Sequence, residues 1–139
     1  MKYLSLSLIF LLLAACKGPS PSKPEAQPAI EAKPADENAV IRILEATNKA
    51  QDEYIKRNRR YALTYEELIE SHLMQQEPSS SDTGYEIRLR PAADAGSYRL
   101  VATPLNPSAS SRYFFTDKTG VIRAEQGKDA TAESPQIAK

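Results

Sequence analysis

Tryptophan is absent, and cysteine and histidine occur once each, as Cys16 and His72, in a chain of 139 residues. A lone thiol can form no internal disulfide and build no metal site, so the two usual uses of cysteine in an exported protein are closed. A lone imidazole needs a nucleophile or an orienting acid within reach, and no serine near His72 stands in a nucleophile elbow. Net charge is missing too. Eighteen Lys plus Arg balance eighteen Asp plus Glu, so no bulk field points to nucleic acid or to an acidic substrate. Long apolar runs are missing: Tyr3 to Ala15 carries no charge, but it is shorter than the roughly 20 residues a membrane-spanning helix requires. There is no glycine-rich phosphate loop and no internal repeat.

What the N-terminus does have is a basic start at Lys2, an apolar stretch and small residues before Cys16, the layout of a secretory signal over residues 1–15. Leu13-Ala14-Ala15-Cys16 resembles a bacterial lipobox. That resemblance implies a diacylglycerol on the Cys16 thiol, recognition of Leu13, Ala14 and Ala15 by signal peptidase II, and Cys16 as the first mature residue. The competing reading is a core cysteine beside an ordinary cleavage site. Lys17 is not the aspartate that commonly retains lipoproteins at the inner membrane, so the expected location is the outer membrane, with the domain facing the periplasm or cell surface.

Five of the ten prolines, Pro19, Pro21, Pro24, Pro28 and Pro34, fall within residues 16–35, among Ala, Lys, Glu, Gln and Ser. Such composition predicts an extended tether, able to hold a domain up to about 60 Å from the lipid. Residues 126–139 show no apolar period and are expected to be a disordered tail.

The foldable part is residues 36–125. Asp36 can cap a helix in which Val40, Ile43, Thr47, Ala50, Tyr54 and Tyr61 keep a three-four spacing, widened by Leu44 and Ile55. It closes in Arg57-Asn58-Arg59-Arg60, cations at the negative end of the helix dipole. Thr64-Tyr65-Glu66-Glu67 fits a capping box for a second, short helix, with Leu63 and Leu68 placed for a hydrophobic staple and Leu68, Ile69, Leu73 and Met74 as its buried side. A loop over residues 75–84 follows. The period then changes to two: Tyr85, Ile87 and Leu89 alternate with Glu86, Arg88 and Arg90, and Tyr98, Leu100 and Ala102 with Arg99, Val101 and Thr103. A second hairpin runs from Arg112 to Thr116, turns at Asp117-Lys118-Thr119-Gly120 and returns over Val121-Ile122-Arg123. The expected fold is α+β, one long helix and one short helix packed on a four-stranded antiparallel sheet.

Asn48-Lys49-Ala50-Gln51 with Tyr54, the segment from Tyr61 to Leu68, and Tyr113-Phe114-Phe115-Thr116-Asp117-Lys118-Thr119-Gly120-Val121-Ile122 occur in an order and spacing similar to the headpiece of type IV pilin-like and type II secretion pseudopilin-like proteins. The resemblance covers residues 40–125. It implies that the meander packs across the long helix, with Ile43, Ala50 and Tyr54 meeting Ile87 and Leu100, while Arg88 and Arg90 face water or a partner. The chain departs from the family in lacking the apolar N-terminal helix that holds a pilin subunit in the membrane and builds the filament core. The lipobox and tether stand in its place. Paired cysteines near the C-terminus are absent as well.

Catalytic chemistry finds little support. Glu66, Glu67 and Glu70 suggest paired carboxylates or a cation site, but acids are expected at a helix start. The Arg57 to Arg60 cluster can contact phosphate, nucleic acid or anionic headgroups, or it can simply compensate the dipole. His72 is expected to be a helix-face residue. Asp117 and Gly120 look faintly like part of a calcium loop, and some pseudopilins bind calcium, so Glu77, Asp82 and Asp117 are the positions to test. Tyr54, Tyr61, Tyr65, Tyr85, Tyr98 and Tyr113 can line a surface, although most should fill a core that has no tryptophan. The resulting expectation is a non-enzymatic lipoprotein with no cofactor, no metal, no nucleic acid and no small-molecule substrate, held to the membrane by its lipid and docking with envelope, secretion or pilus proteins. The alternative is a small-ligand-binding or inhibitor lipoprotein on the same scaffold.

Overall fold

The computed structural model describes residues 35–137. Leu13, Ala14, Ala15, Cys16 and the tether as far as Pro34 lie outside these described residues. The first element is α1, Glu37–Asn58. Its start is set by Asp36, whose carboxylate accepts the Ala39 amide at 2.9 Å. Its end is set by Arg59, which takes a left-handed φ of 58° and donates its amide to the Ile55 carbonyl at 2.8 Å. A shorter α2, Tyr65–Glu70, and a single turn α3, Ser80–Thr83, precede the strands. The turn α3 lies in the stretch expected to be only loop.

Strands β1 (Tyr85–Pro91), β2 (Tyr98–Pro104), β3 (Arg112–Asp117) and β4 (Arg123–Gln126) form one antiparallel sheet in the order β1-β2-β3-β4. The domain is therefore α+β, with one long helix, two small ones and a four-stranded meander. The final strand starts two residues later than its sequence pattern suggests. Val121 and Ile122 belong to the approach from the turn, where Gly120 has a φ of 70° and the Asp117 carboxylate accepts the Thr119 amide at 2.9 Å.

Register explains the core. Ile87 faces Ala102, Ala102 faces Phe114 and Phe114 faces Ala124, one continuous inward row across all four strands. Leu89, Leu100 and Thr116 form a second row. Helix α1 lies over these rows with Val40, Leu44, Thr47, Ala50 and Tyr54 buried, as the three-four spacing predicts. Ile43 packs against the same cluster but stays only partly buried. Five of the six tyrosines after Tyr3 are buried, at positions 54, 61, 65, 85 and 98, and supply the bulk that tryptophan would otherwise give. Tyr61 and Tyr98 meet edge to face at 4.9 Å, as do Tyr85 and Phe114 at 5.8 Å.

Two polar side chains share the buried face of α1. Gln51 grips the Ala62 peptide at both ends, its amide donating to the carbonyl at 3.1 Å and its oxygen accepting the N–H at 2.9 Å. Asn48 donates to the Thr116 hydroxyl on β3 at 2.9 Å and accepts from the Tyr98 hydroxyl on β2 at 3.0 Å. Burial pushes the Tyr98 phenol well above its usual pKa, which keeps it a donor. The Tyr65 hydroxyl, by contrast, is buried beside Thr47 without a well-formed bond; the Thr47 hydroxyl donates to the Ile43 carbonyl at 2.8 Å.

The expectation of a disordered tail from Gln126 is corrected by the structure. Gly127 turns the chain at a φ of 72°, and residues 130–137 return along β4. Ala124 donates to the Pro135 carbonyl at 2.9 Å, Ile137 to the Ile122 carbonyl at 3.1 Å, and the Arg123 guanidinium to the Ser134 carbonyl at 2.8 Å. Ala130 and Ser134 are buried. No apolar period announces this segment because backbone and polar bonds hold it to an edge strand, a role that needs no hydrophobic stripe.

Two outcomes follow for stability. A fragment ending at Glu125 should melt several degrees below the chain that retains residues 126–139, in parallel calorimetric scans; equal melting would mean the tail contributes nothing. Asn48→Ala should cost about 2 to 3 kcal/mol in a urea titration, since it strands buried hydroxyls on Tyr98 and Thr116.

Candidate functional site

The capping box of α2 is built almost as expected. The Thr64 hydroxyl accepts the Glu67 amide at 3.3 Å, but the Glu67 carboxylate reaches one residue further back, to the Leu63 amide at 2.8 Å. Leu63 remains 40% exposed, so its staple with the fully buried Leu68 is not closed. The same carboxylate holds both guanidinium nitrogens of Arg60, at 2.8 and 2.9 Å. Arg60 and that Leu63 amide hold the Glu67 carboxyl down, at about 2. Glu67 is therefore a structural clasp between the end of α1 and α2, not half of a catalytic acid–base pair. His72 lies beyond α2, exposed, with a left-handed φ of 57°, which corrects its expected place on a helix face. Leu73 and Met74 also lie past the helix, their amides bonded to the Leu68 carbonyl.

The positions considered for calcium do not converge: among the described residues no cluster of three or more acidic, cysteine or histidine side chains could hold a metal ion. Asp117 is engaged by the Thr119 amide and hydroxyl in its own turn. No helix of the described residues is long and apolar enough to cross a membrane.

What the fold leaves open is the outer face of the sheet over β1 and β2; on β3 Phe115 is buried, and residues 129–132 border the same face. Along β1, Glu86, Arg88 and Arg90 point away from α1, and along β2 Arg99, Val101 and Thr103 do the same. Arg88 is paired within its own strand to Glu86 at 2.6 Å. Arg90 and Arg99 have a different situation. The register sets them directly opposite each other, and neither makes an ion pair within 4 Å among the described residues. Like charges so placed repel, and the sheet tolerates them because both are solvent-exposed.

These two arginines and Phe115 are shared by two shallow concavities. One, of about 470 Å³, opens toward Pro91 and Lys118. The other, of about 690 Å³, runs over Val101 and Thr103 to a wall made by Asp129 and Thr131. A third groove, of about 880 Å³, lies between Ile41 and Glu45 of α1 and Val121 and Ile137. Comparison with family models, with curated proteins and with solved structures finds no match for this chain.

The Arg88 and Arg90 positions were legible from the strand alternation; the opposition of Arg90 to Arg99 was not, because it depends on the turn between the strands. There Ala95, not Gly96, takes the left-handed φ, at 54°, while the Asp94 carboxylate accepts the Gly96 amide. The Ala95 carbonyl accepts the Tyr61 amide at 3.0 Å, which ties this turn to the end of α1.

The Arg60–Glu67 clasp gives a pH dependence of known sign. Because the folded pKa of Glu67 is depressed, its contribution is complete above the unfolded value near 4.5 and is lost as pH falls toward 2. Solvent reaches both partners, so Glu67→Gln should cost only about 1 kcal/mol at neutral pH. The gap between the two proteins should close on acidification; a gap that persists at pH 2 would assign the loss to packing.

Proposed function

We propose that the chain is a non-enzymatic, lipid-anchored envelope protein, diacylated at Cys16 and outer-membrane-located, whose pilin-like domain docks with other envelope, secretion or pilus components. The pilin-like reading is supported by element order, long helix first and meander after, and by the inward placement of Asn48, Gln51 and Tyr54, which belong to the resembling motif. The observation that carries the docking reading is the open outer face of the sheet, where Arg90 and Arg99 stand over shallow, broad concavities. A surface of that form suits a macromolecule better than a small ligand. The second reading, a small-ligand or inhibitor lipoprotein, draws on the groove flanked by Ile41, Val121 and Ile137.

Two measurements in the producing cell test this. Cys16→Ser should abolish labelling by a fatty-acid probe and shift the protein to the soluble fraction; persistent labelling removes the anchor. A photo-reactive residue in place of Arg88 should yield a discrete protein adduct, and one in place of Glu45 should not. No adduct from either position, with a small molecule co-purifying instead, would replace docking by ligand binding.

A further inference from the structure

The charges of this neutral chain are not spread evenly over the fold. The start of α1 is tied to the start of β1 and β3, through the Asp36 amide on the Thr83 carbonyl at 2.8 Å and the Glu37–Arg112 ion pair at 3.0 Å. Its end is tied to the β1–β2 turn through Tyr61 and Ala95. The end of the sheet away from residue 35 therefore carries the close of β1, the start of β2 and, beside it, the end of β3, with the close of α1 tied to it, while the β3–β4 turn runs on toward the first turns of α1. Arg57, Arg59, Arg90, Arg99 and Lys118 all belong to that end, and none has an ion pair among the described residues. Of the acids near them, Glu53 is paired to Lys56, Glu86 to Arg88, and Asp94 and Asp117 accept hydrogen bonds within their own turns, although Asp117 also faces Arg99 across β2 and β3.

We propose that the outer sheet face at this end binds an extended acidic segment of a partner protein, with Arg90 and Arg99 as the carboxylate-binding pair. This rests on the docking reading above and names the chemistry of its partner. An adjacent pair of guanidinium forks on neighbouring strands suits carboxylates, which each fork can hold by two parallel bonds. Asp117 stands across from Arg99 on β3, and Glu86 and Asp129 line the same face, but none of them pairs with either arginine within 4 Å, so an acidic occupant adds close partners for both guanidinium groups. Beside the arginines the half-buried Val101 offers an apolar contact, Phe115 beneath being only 9% exposed, and the face from Arg99 to Thr103 is about 13 Å long, enough for four or five residues of an extended chain. A segment alternating acidic and apolar side chains matches both features. An anionic membrane matches them less well. The large exposed apolar side chains, Leu63 and Leu105, line neither concavity, and the segment that would carry a lipid joins the domain beside Thr83, at the start of β1.

The test uses the full chain made soluble by Cys16→Ser and a fluorescein-labelled peptide of alternating glutamate and valine, followed by fluorescence anisotropy. Binding should weaken several-fold between about 50 and 200 mM salt. Arg90→Glu removes one cation and occupies the other, so it should weaken binding by about tenfold or more, and Arg99→Ala should weaken it by a similar factor. Arg57→Glu, at the same end but off the sheet, should stay within about twofold. Arg90→Glu should melt at the same or a higher temperature, because it places opposite charges across the strands, so lost binding is not lost folding. Unchanged affinity in both sheet variants overturns the proposal. So does binding to phosphatidylglycerol vesicles, lost in Arg90→Glu, without binding to the peptide. Either failure leaves the docking reading to the adduct at position 88, which forms or does not form independently of the peptide.

Discussion

One helix face carries two opposing demands: α1 must bury an apolar stripe against the sheet and also fix where the sheet and the following chain sit. Leucine and valine satisfy the first demand but are indifferent to small sliding motions. Asn48 and Gln51 are not. Asn48 contacts β2 and β3 at once, through hydroxyls at 2.9 and 3.0 Å, and Gln51 holds both ends of the Ala62 peptide. A shift of an ångström along the helix would break all four bonds inside a dry core, where each orphaned group is expensive. The position of α1 across the meander, the path of the chain into α2, and the Tyr61 contact with the β1–β2 turn all depend on these two side chains.

The parts of the fold governed by hydrophobic period were readable in advance. The Val40-Leu44-Thr47-Tyr54 stripe, the Tyr85-Ile87-Leu89 alternation and the Asp117 to Gly120 turn all stand as their patterns suggest, within a residue or two. The parts governed by specific polar contacts were not. Asn48 and Gln51 look like surface residues by composition, and only their position on the inward stripe betrays them. Residues 130–137 look disordered because their order comes from β4, not from themselves. The same division holds for the candidate site: alternation puts Arg90 and Arg99 on the outer face, but their opposition needs the register, and register is set by a turn whose left-handed residue is an alanine that pattern alone would not choose.

The sheet's inner face is committed to packing and carries Tyr85 and Tyr98, while its outer face sets Arg90 opposite Arg99, an arrangement that stability alone would not favour. The clasp of Arg60 and Glu67 is the opposite case. Its two partners neutralise each other, and the pair holds α2 against the end of α1 rather than offering charge to anything beyond.

The return of residues 130–137 along β4 has a consequence for assembly. A sheet with two bare edges can recruit further strands on both sides and so grow without limit, as fibrils do. Here one side is already occupied by the chain's own C-terminal segment, tied down at Ala124, Arg123 and Ile122. Only β1 remains as a border of the described sheet. Residues 135–137 take the β4 positions that a strand of another chain would otherwise pair with, which leaves β1 as the edge along which no strand of the described residues lies.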